Sequence, residues 1–377
     1  MTARRLALDA LIAVDGGARA NAVVADLLAG SHLEPRDRAL VTELVYGACR
    51  MRRACDWLTH RYTRGPVDAE VRNALRLGTY QLGWMRVPAH AAVSATVEEV
   101  RGPGRSVVNA VLRRVATQLA AGPIVWPDPG TELSYPDWVL DRLARDVGAG
   151  PARPALATMN LPAAMTIRPD GYIQDAASQM VAAHVGAQPG DWVLDLCAAP
   201  GGKATAMADQ GAAFVVGADV SPSRAGVMAA NVARLGTSSV VTVVADGTSP
   251  PWPAGSFDRV LVDAPCSGLG ALRRRPDARW RVQPADVARL ADLQRRLVAA
   301  ALPLVRPGGT LVYSVCTLTA EETRSIDGWL ARTAPHLVPS PPPGHPWQPA
   351  GRGALLLPQA AGTDGMYVLS LRMPAVG

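Results

Sequence analysis

Lysine is almost absent from this chain. Of its 38 lysine and arginine residues, 37 are arginine, and the single lysine is Lys203, which follows a double glycine. A lysine carries a compact charge on a flexible stem, whereas an arginine carries a broad planar group. A position that keeps lysine in an arginine-rich sequence is typical of a crowded site. Lys203 is therefore the first candidate functional residue.

Cysteine pairs, zinc-type clusters and long apolar runs are missing as well. The five cysteines are scattered and odd in number, which argues against a disulfide framework and favours a reducing compartment. The six histidines form no zinc-type spacing with a cysteine pair, so no metal is expected. No apolar stretch reaches the ~18 residues of a membrane span. The sequence thus predicts a soluble cytoplasmic protein with neither a metal nor a membrane partner.

The charge is unevenly distributed along the chain. Residues 1–125 carry 17 arginines and 11 acidic residues, whereas residues 126–377 carry 21 residues of each sign, so the net charge of +6 lies in the first segment. Such a concentration of positive charge suits a polyanion such as RNA. A mildly basic, solvated helical surface is the alternative that charge alone leaves open.

Two patterns of apolar residues divide the chain. Up to about residue 120 apolar side chains recur every three or four positions, which predicts helices. From Gly171 onward, short apolar runs alternate with helical stretches, which predicts parallel βαβ units in a doubly wound sheet closed by a β-hairpin. The predicted fold is multi-domain: an all-α domain over residues 1–122, a linker and small subdomain over residues 123–170, and a Rossmann-like α/β domain over residues 171–377.

Residues that follow the apolar runs are candidates for a ligand site, because doubly wound sheets bind ligands beyond the carboxyl ends of their strands. The first run leads into the glycine-bearing turn Cys197–Lys203, whose amides at a helix N-terminus attract an anion. Asp219 ends the second run, where a carboxylate accepts both hydroxyls of a ribose. Asp246 ends the third run, where it would accept from an adenine amino group. The alternative for each aspartate is a turn-forming role.

Phosphate-binding fingerprints are missing from this glycine turn. A P-loop needs Gly-x-x-x-x-Gly-Lys followed by Ser or Thr, yet Cys197 and Ala204 occupy the outer positions, and no Gly-x-Gly-x-x-Gly motif is present. An NTPase and a nicotinamide-dependent oxidoreductase are therefore disfavoured. A site for a ribose, an adenine and a carboxylate without a phosphate clamp predicts S-adenosylmethionine as the cofactor.

Two cysteines follow the fourth and fifth apolar runs, Cys266 in DAPCSG and Cys316 in YSVCT. A buried cysteine is often only a small apolar packing residue. Two of them beside a methyl donor fit pyrimidine chemistry, because carbon-5 becomes nucleophilic only after a thiolate has added to carbon-6. A free thiol with a pKa of ~8.5 is only slightly ionised at neutral pH, so a cation such as Lys203 would favour the thiolate.

Several segments, in this order, resemble the Nop/Sun (Sun/Fmu) family of RNA cytosine-C5 methyltransferases: GYIQDAASQMVA, DLCAAPGGK, DAPCSGLGALRRRPDARW, YSVCTLTAEE and GTDGMYV. The first helical region, with RALVTELVYGACRMRR and VVNAVLRR, is similar to the NusB-type RNA-binding domain of the bacterial 16S ribosomal RNA enzymes. The resemblance covers nearly the whole chain. It implies methyl transfer from S-adenosylmethionine to carbon-5 of a cytosine in 16S ribosomal RNA through a covalent cysteine adduct.

The resemblance also implies a role for each motif residue. Cys316 corresponds to the nucleophile and Cys266 to the cysteine that assists release of the methylated product. Asp263 corresponds to an aspartate that lies against the target base and the donated methyl, and Lys203 to a lysine that reaches toward both. The implied cofactor-binding residues are Cys197, Ala198, Ala199, Pro200, Gly201, Gly202, Lys203, Asp219, Asp246 and Asp263.

Three features depart from the family pattern. Val315 stands where a threonine usually precedes the nucleophilic cysteine, and no histidine precedes the last GTDG. Asp170, the end of a predicted strand MTIRPD, is followed directly by Gly171, whereas relatives insert a small RNA-gripping subdomain there. The substrate therefore stays open to alternatives: another RNA such as tRNA, or a non-catalytic role as an RNA-binding ribosome assembly factor. The oligomeric state also stays open, with a monomer as the expectation.

Overall fold

The computed structural model describes residues 1–375. Among these residues, no helix has both the length and the apolar character needed to cross a bilayer. The helices are α1 (Ala3–Asp15), α2 (Ala20–Ala29), α3 (Pro35–Arg50), α4 (Arg52–His60), α5 (Ala69–Trp84), α6 (Ala89–Val97), α7 (Gly104–Ala120), α8 (Pro129–Leu133), α9 (Asp137–Val147), α10 (Ala149–Thr158), α11 (Ala176–Val185), α12 (Gly202–Asp209), α13 (Pro222–Leu235), α14 (Ala278–Arg281), α15 (Pro284–Ala301), α16 (Arg324–Thr333) and α17 (Pro358–Ala361).

The strands form one mixed sheet in the order β3-β2-β1-β4-β5-β9-β8-β7, with β6 paired to β9. Neighbouring strands among β1 to β5 are parallel, and β9 runs antiparallel to β5 and β8. This arrangement confirms the predicted doubly wound α/β sheet and its closing hairpin, β8 with β9. The strands are β1 (Trp192–Asp195), β2 (Phe214–Asp219), β3 (Val240–Val244), β4 (Phe257–Asp263), β5 (Val305–Val315), β6 (Val338–Pro339), β7 (Gln348–Ala350), β8 (Gly353–Leu356) and β9 (Met366–Arg372).

The described chain folds as two compact units. The helical unit contains Met1–Asp141, Asn160–Pro162 and Leu272–Val282. The α/β unit contains Arg142–Met159, Ala163–Ala271 and the chain from Gln283 onward.

Both faces of the sheet in the α/β unit are covered by helices, as the apolar runs of its strands require. On one face, Val260 and Tyr313 pack in a core with Val298 of α15. On the other face, Val193 packs in a core with Met207 of α12. Alternate residues of each parallel strand thus point into different cores, which fixes the strand register.

The helical unit is built from amphipathic helices around a single apolar core. Three helix starts are capped by side chains: Thr2 accepts from the Arg5 amide at 3.0 Å, Asp68 from the Val71 amide at 2.8 Å, and Asp128 from the Thr131 amide at 2.7 Å. Such caps satisfy amides that have no partner within the helix. The leucines at the centre of this core are fully or almost fully buried: Leu6, Leu44, Leu58, Leu77 and Leu112.

The helical unit extends beyond residue 122, where the sequence predicts a boundary, as far as Asp141. Arg53 of α4 accounts for part of this extension, because its guanidinium donates to Asp128 at 3.0 Å and to the Tyr135 carbonyl at 2.8 Å. The ring of Trp126 also lies 5.2 Å from that of Trp57. The turn-rich segment after α7 is therefore attached to the helices that precede it.

The segment Leu272–Val282, which follows the DAPCSG motif in sequence, also belongs to the helical unit. Arg279 is fully buried there, with its guanidinium 3.9 Å from the centre of the Tyr135 ring. It donates to the carbonyl of Arg50 at 3.2 Å, and the Trp280 indole donates to the carbonyl of Cys49 at 2.7 Å. These hydrogen bonds join residues more than 200 positions apart in the sequence.

The prediction of a strand at residues 165–170 is wrong. The segment forms one side of a tight reversal whose only ladder contact is an isolated bridge between Ile167 and Ile173. The amide of Arg168 donates to the carbonyl of Tyr172 at 2.9 Å. The Pro-Asp-Gly sequence turns the chain back at once, so no run is long enough to form a strand.

An ion-pair cluster joins α1, α4 and α5 within the helical unit. Arg76 is 5% exposed, lies 2.9 Å from Asp15, and donates twice to Asp56 at 2.6 and 2.8 Å. Arg72 contacts Asp15 at 2.5 Å. Burial opposes ionisation of Asp15, but hydrogen bonds from Arg72 and Arg76 outweigh it and lower the pKa of this carboxyl to about 2.

We expect Asp15→Asn to lower the free energy of unfolding by about 2 kcal/mol near neutral pH, because a pKa shift is worth ~1.4 kcal/mol per unit. The folded-state pKa of Asp15 lies below its unfolded value of 3.8, so this stabilisation is present above about pH 4 and is lost as the pH falls toward 2. Urea titrations at neutral pH and near pH 3 measure it. Asp26→Asn, at an exposed site, is the matched control, and equal effects of the two variants would contradict the prediction.

Candidate active site

The carboxyl ends of β1, β4 and β5 bring the sequence-predicted residues into one connected group. Lys203 lies in the first turn of α12, which follows β1, and its Nζ is 2.6 Å from Oδ2 of Asp263 at the end of β4. The other oxygen of Asp263 accepts from the Ser314 hydroxyl at 2.6 Å. Ser314 precedes Cys316 by two residues at the end of β5, and the Cys316 and Cys266 sulfurs are 3.3 Å apart.

The turn Cys197–Lys203 joins β1 to α12 and requires glycine at two adjacent positions. Gly201 has a φ of +101°, a left-handed conformation that residues with a side chain rarely adopt. A Cβ atom on Gly202 would lie 2.7 Å from the ring of Tyr172. The backbone therefore passes close to its neighbours while leaving amides at the N-terminus of α12.

Arg168, which sequence reasoning missed, fixes the start of α12. Its guanidinium donates to the Gly202 carbonyl at 2.5 Å and to the Thr205 hydroxyl at 3.2 Å. Asp170 and Asp209 balance its charge. The only sequence signal for this role is an arginine just before a Pro-Asp-Gly turn, and that signal does not identify the partner.

The Lys203–Asp263 pair is largely buried, with 11% and 27% of the two side chains exposed. Burial disfavours the charged form of Lys203, but the charge and hydrogen bond of Asp263 outweigh this penalty and raise the pKa of the lysine above its ordinary value. The ammonium group is therefore retained at neutral pH. Both oxygens of Asp263 are engaged, which orients its carboxylate at the strand ends.

Asp195, the last residue of β1, is a second buried carboxyl at this edge and is only 1% exposed. Neither of its oxygens has a hydrogen-bond partner of normal geometry among the described residues. Burial and the charge of Asp263 raise its pKa to about 7, although Lys203 acts in the opposite direction. Burial and the charge of Asp195 also raise the pKa of the Cys197 thiol, so Cys197 stays protonated near neutral pH.

The two sulfurs are close enough to share one proton. The contact with Cys316 and burial raise the pKa of Cys266 well above its ordinary value. Cys266 therefore favours the protonated form, and either sulfur can donate to the other across the 3.3 Å contact. Both residues are partly buried.

Asp219 ends β2 and is 3% exposed. One oxygen accepts from the Ser221 amide at 2.9 Å, and the other lies 3.3 Å from the Arg224 guanidinium. Arg224 also donates to the Ala199 carbonyl at 2.7 Å, which links this carboxylate to the glycine turn. Asp219 therefore both shapes a turn and lies next to the candidate cofactor site.

Asp246, after β3, is exposed and engaged in a local turn. Its Oδ1 accepts from the amide and the hydroxyl of Thr248, both at 2.8 Å. These hydrogen bonds lower its pKa. The present contacts of Asp246 are those of a turn-forming residue, which is the alternative that the sequence leaves open. The second carboxylate oxygen of Asp246 is the one available to a ligand.

Within residues 1–375, no group of three or more histidine, cysteine, aspartate or glutamate side chains is arranged to hold a metal ion. The chemical groups gathered at this edge are instead an ammonium, two carboxyls and two thiols. These groups suit nucleophilic attack by sulfur and proton transfer.

Two family models match the chain. Residues 182–372 match the model described as "16S rRNA methyltransferase RsmB/F", and residues 1–117 match the NusB family. These matches coincide with the predicted α/β and all-α regions of the sequence. They confirm the family resemblance and the predicted fold class.

Two relatives match over nearly the whole of this chain and of their own length. The protein Rv1407 of Mycobacterium tuberculosis is 38% identical, and the match covers 98% of this chain and 96% of the relative. The ribosomal RNA small subunit methyltransferase B of Thermus thermophilus is 36% identical, with 98% of each protein covered. The 402 positions of that match exceed the 377 residues of this chain, so the relative has segments without a counterpart here.

A solved structure supports the same fold. The crystal structure of PH0851 superposes with a TM-score of 0.77 and covers 98% of both chains, at 19% sequence identity. At that identity the likeness concerns the fold alone. The family models and the relatives above carry the further conclusion: the chain belongs to the RsmB/F family of 16S rRNA methyltransferases, with S-adenosylmethionine as the methyl donor and a NusB domain at its N-terminus.

Proposed function

We propose that this protein transfers a methyl group from S-adenosylmethionine to carbon-5 of a cytosine in 16S ribosomal RNA, through a covalent adduct on Cys316. The observation that carries the proposal is the 3.3 Å approach of the Cys266 and Cys316 sulfurs beside the Lys203–Asp263 pair. Two thiols and a fixed ammonium are the groups that attack and release of a pyrimidine need. The rRNA substrate rests on the family and on the substrate that the Thermus relative's name gives.

The cofactor site is assigned to the glycine turn and the neighbouring strand ends. The N-terminus of α12 at the glycine turn suits the methionine carboxylate, although Pro200 has no amide hydrogen and the amides of Ala198 and Gly201 already donate to backbone carbonyls. Asp219 and Asp246 suit the ribose and the adenine. The fit has an independent physical argument, because neither oxygen of the buried Asp195 carboxyl has a hydrogen-bond partner of normal geometry among the described residues, which is costly until a donor satisfies it. The cofactor supplies an electrophilic methyl group on a sulfonium.

The reaction begins with attack by Cys316. Its thiolate forms a bond to carbon-6 of the cytosine, and the electron pair of the 5,6 double bond moves onto carbon-5, the enolate-like position. Asp263 is the candidate to share a proton with cytosine N3 and so stabilise this charge, while Lys203 holds the aspartate in place. Carbon-5 would then form its bond to the donated methyl as the bond between that methyl and the sulfonium sulfur breaks, leaving a neutral thioether.

Release requires removal of the carbon-5 proton and departure of the Cys316 thiolate. We assign the proton to Cys266. The hydrogen bond with Cys316, burial and the charge of Cys316 raise the pKa of Cys266, and the hydrogen bond and the charge are lost once Cys316 is bonded to carbon. The pKa of Cys266 then falls, so that its thiol can lose its proton to solvent water, take the carbon-5 proton, and allow the double bond to re-form as the carbon–sulfur bond breaks.

The substitutions Cys316→Ala and Cys266→Ala separate these two roles. We expect Cys316→Ala to abolish methylation and to form no adduct. We expect Cys266→Ala to attack and methylate the cytosine but not to release the methylated RNA. A protein–RNA adduct should therefore accumulate and survive a denaturing gel. The measurement is that gel, together with 5-methylcytosine analysis after incubation with S-adenosylmethionine and small-subunit RNA.

The double variant Cys266→Ala/Cys316→Ala is the control and should give no adduct. An adduct in Cys316→Ala alone would mean that the two roles are exchanged. Full activity in both single variants would mean that the methyl is transferred without a cysteine adduct. Methylation of tRNA rather than small-subunit RNA would mean that the substrate is a different RNA and that the chemistry is as proposed.

Asp219→Asn tests the cofactor site. Loss of a charge-assisted hydrogen bond costs roughly 1.5–3 kcal/mol, so the affinity for S-adenosylmethionine should fall about ten- to a hundred-fold. Calorimetry on the folded variant measures this change. Asp292→Asn, which removes an exposed carboxylate on α15, is the matched control, and unchanged affinity in Asp219→Asn would remove this residue from the site.

The helical unit carries arginines suited to RNA. Arg61 lies 4.7 Å above the Trp57 ring and Arg114 lies 5.9 Å from the Tyr62 ring, and neither pairs with an acidic residue among the described residues. An exposed guanidinium beside an aromatic face suits phosphate and base contacts. We therefore propose that these two arginines contribute to RNA binding.

We expect Arg61→Gln/Arg114→Gln to weaken RNA binding and to reduce its salt dependence, by a slope of ~0.7 per lost phosphate contact on single-stranded RNA. Affinities measured at several salt concentrations give this slope. Arg19→Gln/Arg36→Gln, which removes two other exposed arginines of the same unit, is the matched control. The same slope in both double variants would mean that the charge acts only as a general surface property.

A further inference from the structure

A fully buried carboxylate is linked by hydrogen bonds to the chain segments that contain the two cysteines. Glu322, seven residues after the end of β5, is 0% exposed. Its oxygens accept from the Ser267 amide at 2.8 Å, the Ser267 hydroxyl at 2.5 Å, the Gln294 amide at 3.0 Å and the Thr319 hydroxyl at 2.8 Å. None of these partners is cationic, so hydrogen bonds alone compensate the burial of this group.

These hydrogen bonds hold the chain on both sides of Cys266. Ser267, the next residue, bonds Glu322 through its backbone and its side chain. Pro265, the preceding residue, accepts from Gln294 at 2.9 Å, and that same side-chain amide bonds Glu322. The residues on either side of Cys266 are thus held by the Glu322 carboxylate, Ser267 directly and Pro265 through Gln294.

The network also reaches the residues around Cys316. The Ser267 hydroxyl lies 2.8 Å from the Thr317 hydroxyl, directly after Cys316. The Tyr313 hydroxyl lies 2.7 Å from the Glu322 carbonyl oxygen and 2.9 Å from Oε1 of Gln294, and its one proton can be donated to either. The buried Glu322 and its hydrogen-bond partners therefore connect the chain segment that contains Cys266 to the one that contains Cys316.

The two cysteines depend on this network to different degrees. Cys316 directly follows β5, an interior strand of the sheet, where Ser314 pairs with Asp263 of β4 and Val315 pairs with Tyr367 of β9. Cys266 lies in irregular chain between β4 and the next helix, where no ladder holds it. Loss of the network should therefore displace Cys266 more than Cys316.

We propose that Glu322 is a positioning residue for the release step, which holds Cys266 against Cys316 and the adduct formed there. The inference rests on the proposed function, in which Cys266 removes the carbon-5 proton. Glu322 touches neither the base nor the cofactor in this scheme. It acts through Ser267 and Gln294 on the placement of one sulfur.

The test is Glu322→Gln, which keeps the size of the side chain but replaces one acceptor oxygen by a donor group facing Ser267. We expect the rate of 5-methylcytosine release to fall about ten- to a hundred-fold. We also expect a protein–RNA adduct to accumulate on a denaturing gel although Cys266 is present. A purely structural role would lower adduct and product together, so the ratio of adduct to released product is the decisive measurement.

The neighbouring glutamate provides a matched control. Glu321 pairs with Arg142, and no hydrogen bond among residues 1–375 joins its side chain to Cys266, Cys316 or their sequence neighbours, so Glu321→Gln should release product at the normal rate without adduct. Ser267→Ala, which removes the hydroxyl but keeps the backbone hydrogen bond, should accumulate a smaller share of adduct. If Glu322→Gln does not fold, as judged by thermal unfolding, Ser267→Ala decides alone.

Normal release without adduct in the folded Glu322→Gln variant would overturn the inference, and so would equal loss of adduct and product. Glu322→Gln/Cys316→Ala distinguishes this failure from failure of the proposed function. An adduct that persists in that double variant, or activity in Cys316→Ala, would refute Cys316 as the nucleophile. An adduct that requires Cys316 but does not respond to Glu322→Gln would refute only the positioning role.

Discussion

The contact between Lys203 and Asp263 is the interaction around which the site is organised. It joins the first turn of α12 to the end of β4, with 2.6 Å between nitrogen and oxygen. A slim ammonium fits this position because the glycine turn before it is pressed against Tyr172 and fixed by Arg168. The single lysine of an arginine-rich chain is therefore explained by space and by the need for a point charge.

The site was predictable from sequence only where the sheet itself places the residues. Parallel strands end at a common edge, so the residues after each apolar run were expected together, and Lys203, Asp263, Cys266 and Cys316 are connected there. Glu322 could not be found this way, because its partners come from three separate segments of the chain. No local pattern records hydrogen bonds across such sequence distances.

The course of the chain was harder to predict than its secondary structure, for the same physical reason. Turn-forming residues after α7 indicated a linker, but Arg53 attaches that segment to the helices before it. The chain also leaves the α/β unit at Ala271 and returns at Gln283, having buried Arg279 among helices. A buried arginine whose Nη1 donates to backbone carbonyls and whose guanidinium lies over a tyrosine ring carries no signal in composition or periodicity.

Because the two thiols share one proton, they ionise one after the other, and this sets the order of the steps in the proposed reaction. Two thiolates 3.3 Å apart would repel strongly, so only one ionises while both sulfurs are free. In the proposed scheme Cys316 carries that charge, because the raised pKa of Cys266 keeps the proton on Cys266. Bond formation to carbon neutralises Cys316 and removes its hydrogen bond and its charge from the causes that raise the pKa of Cys266, while burial remains. In the proposed scheme, attack by the first sulfur is therefore what makes the second sulfur a base.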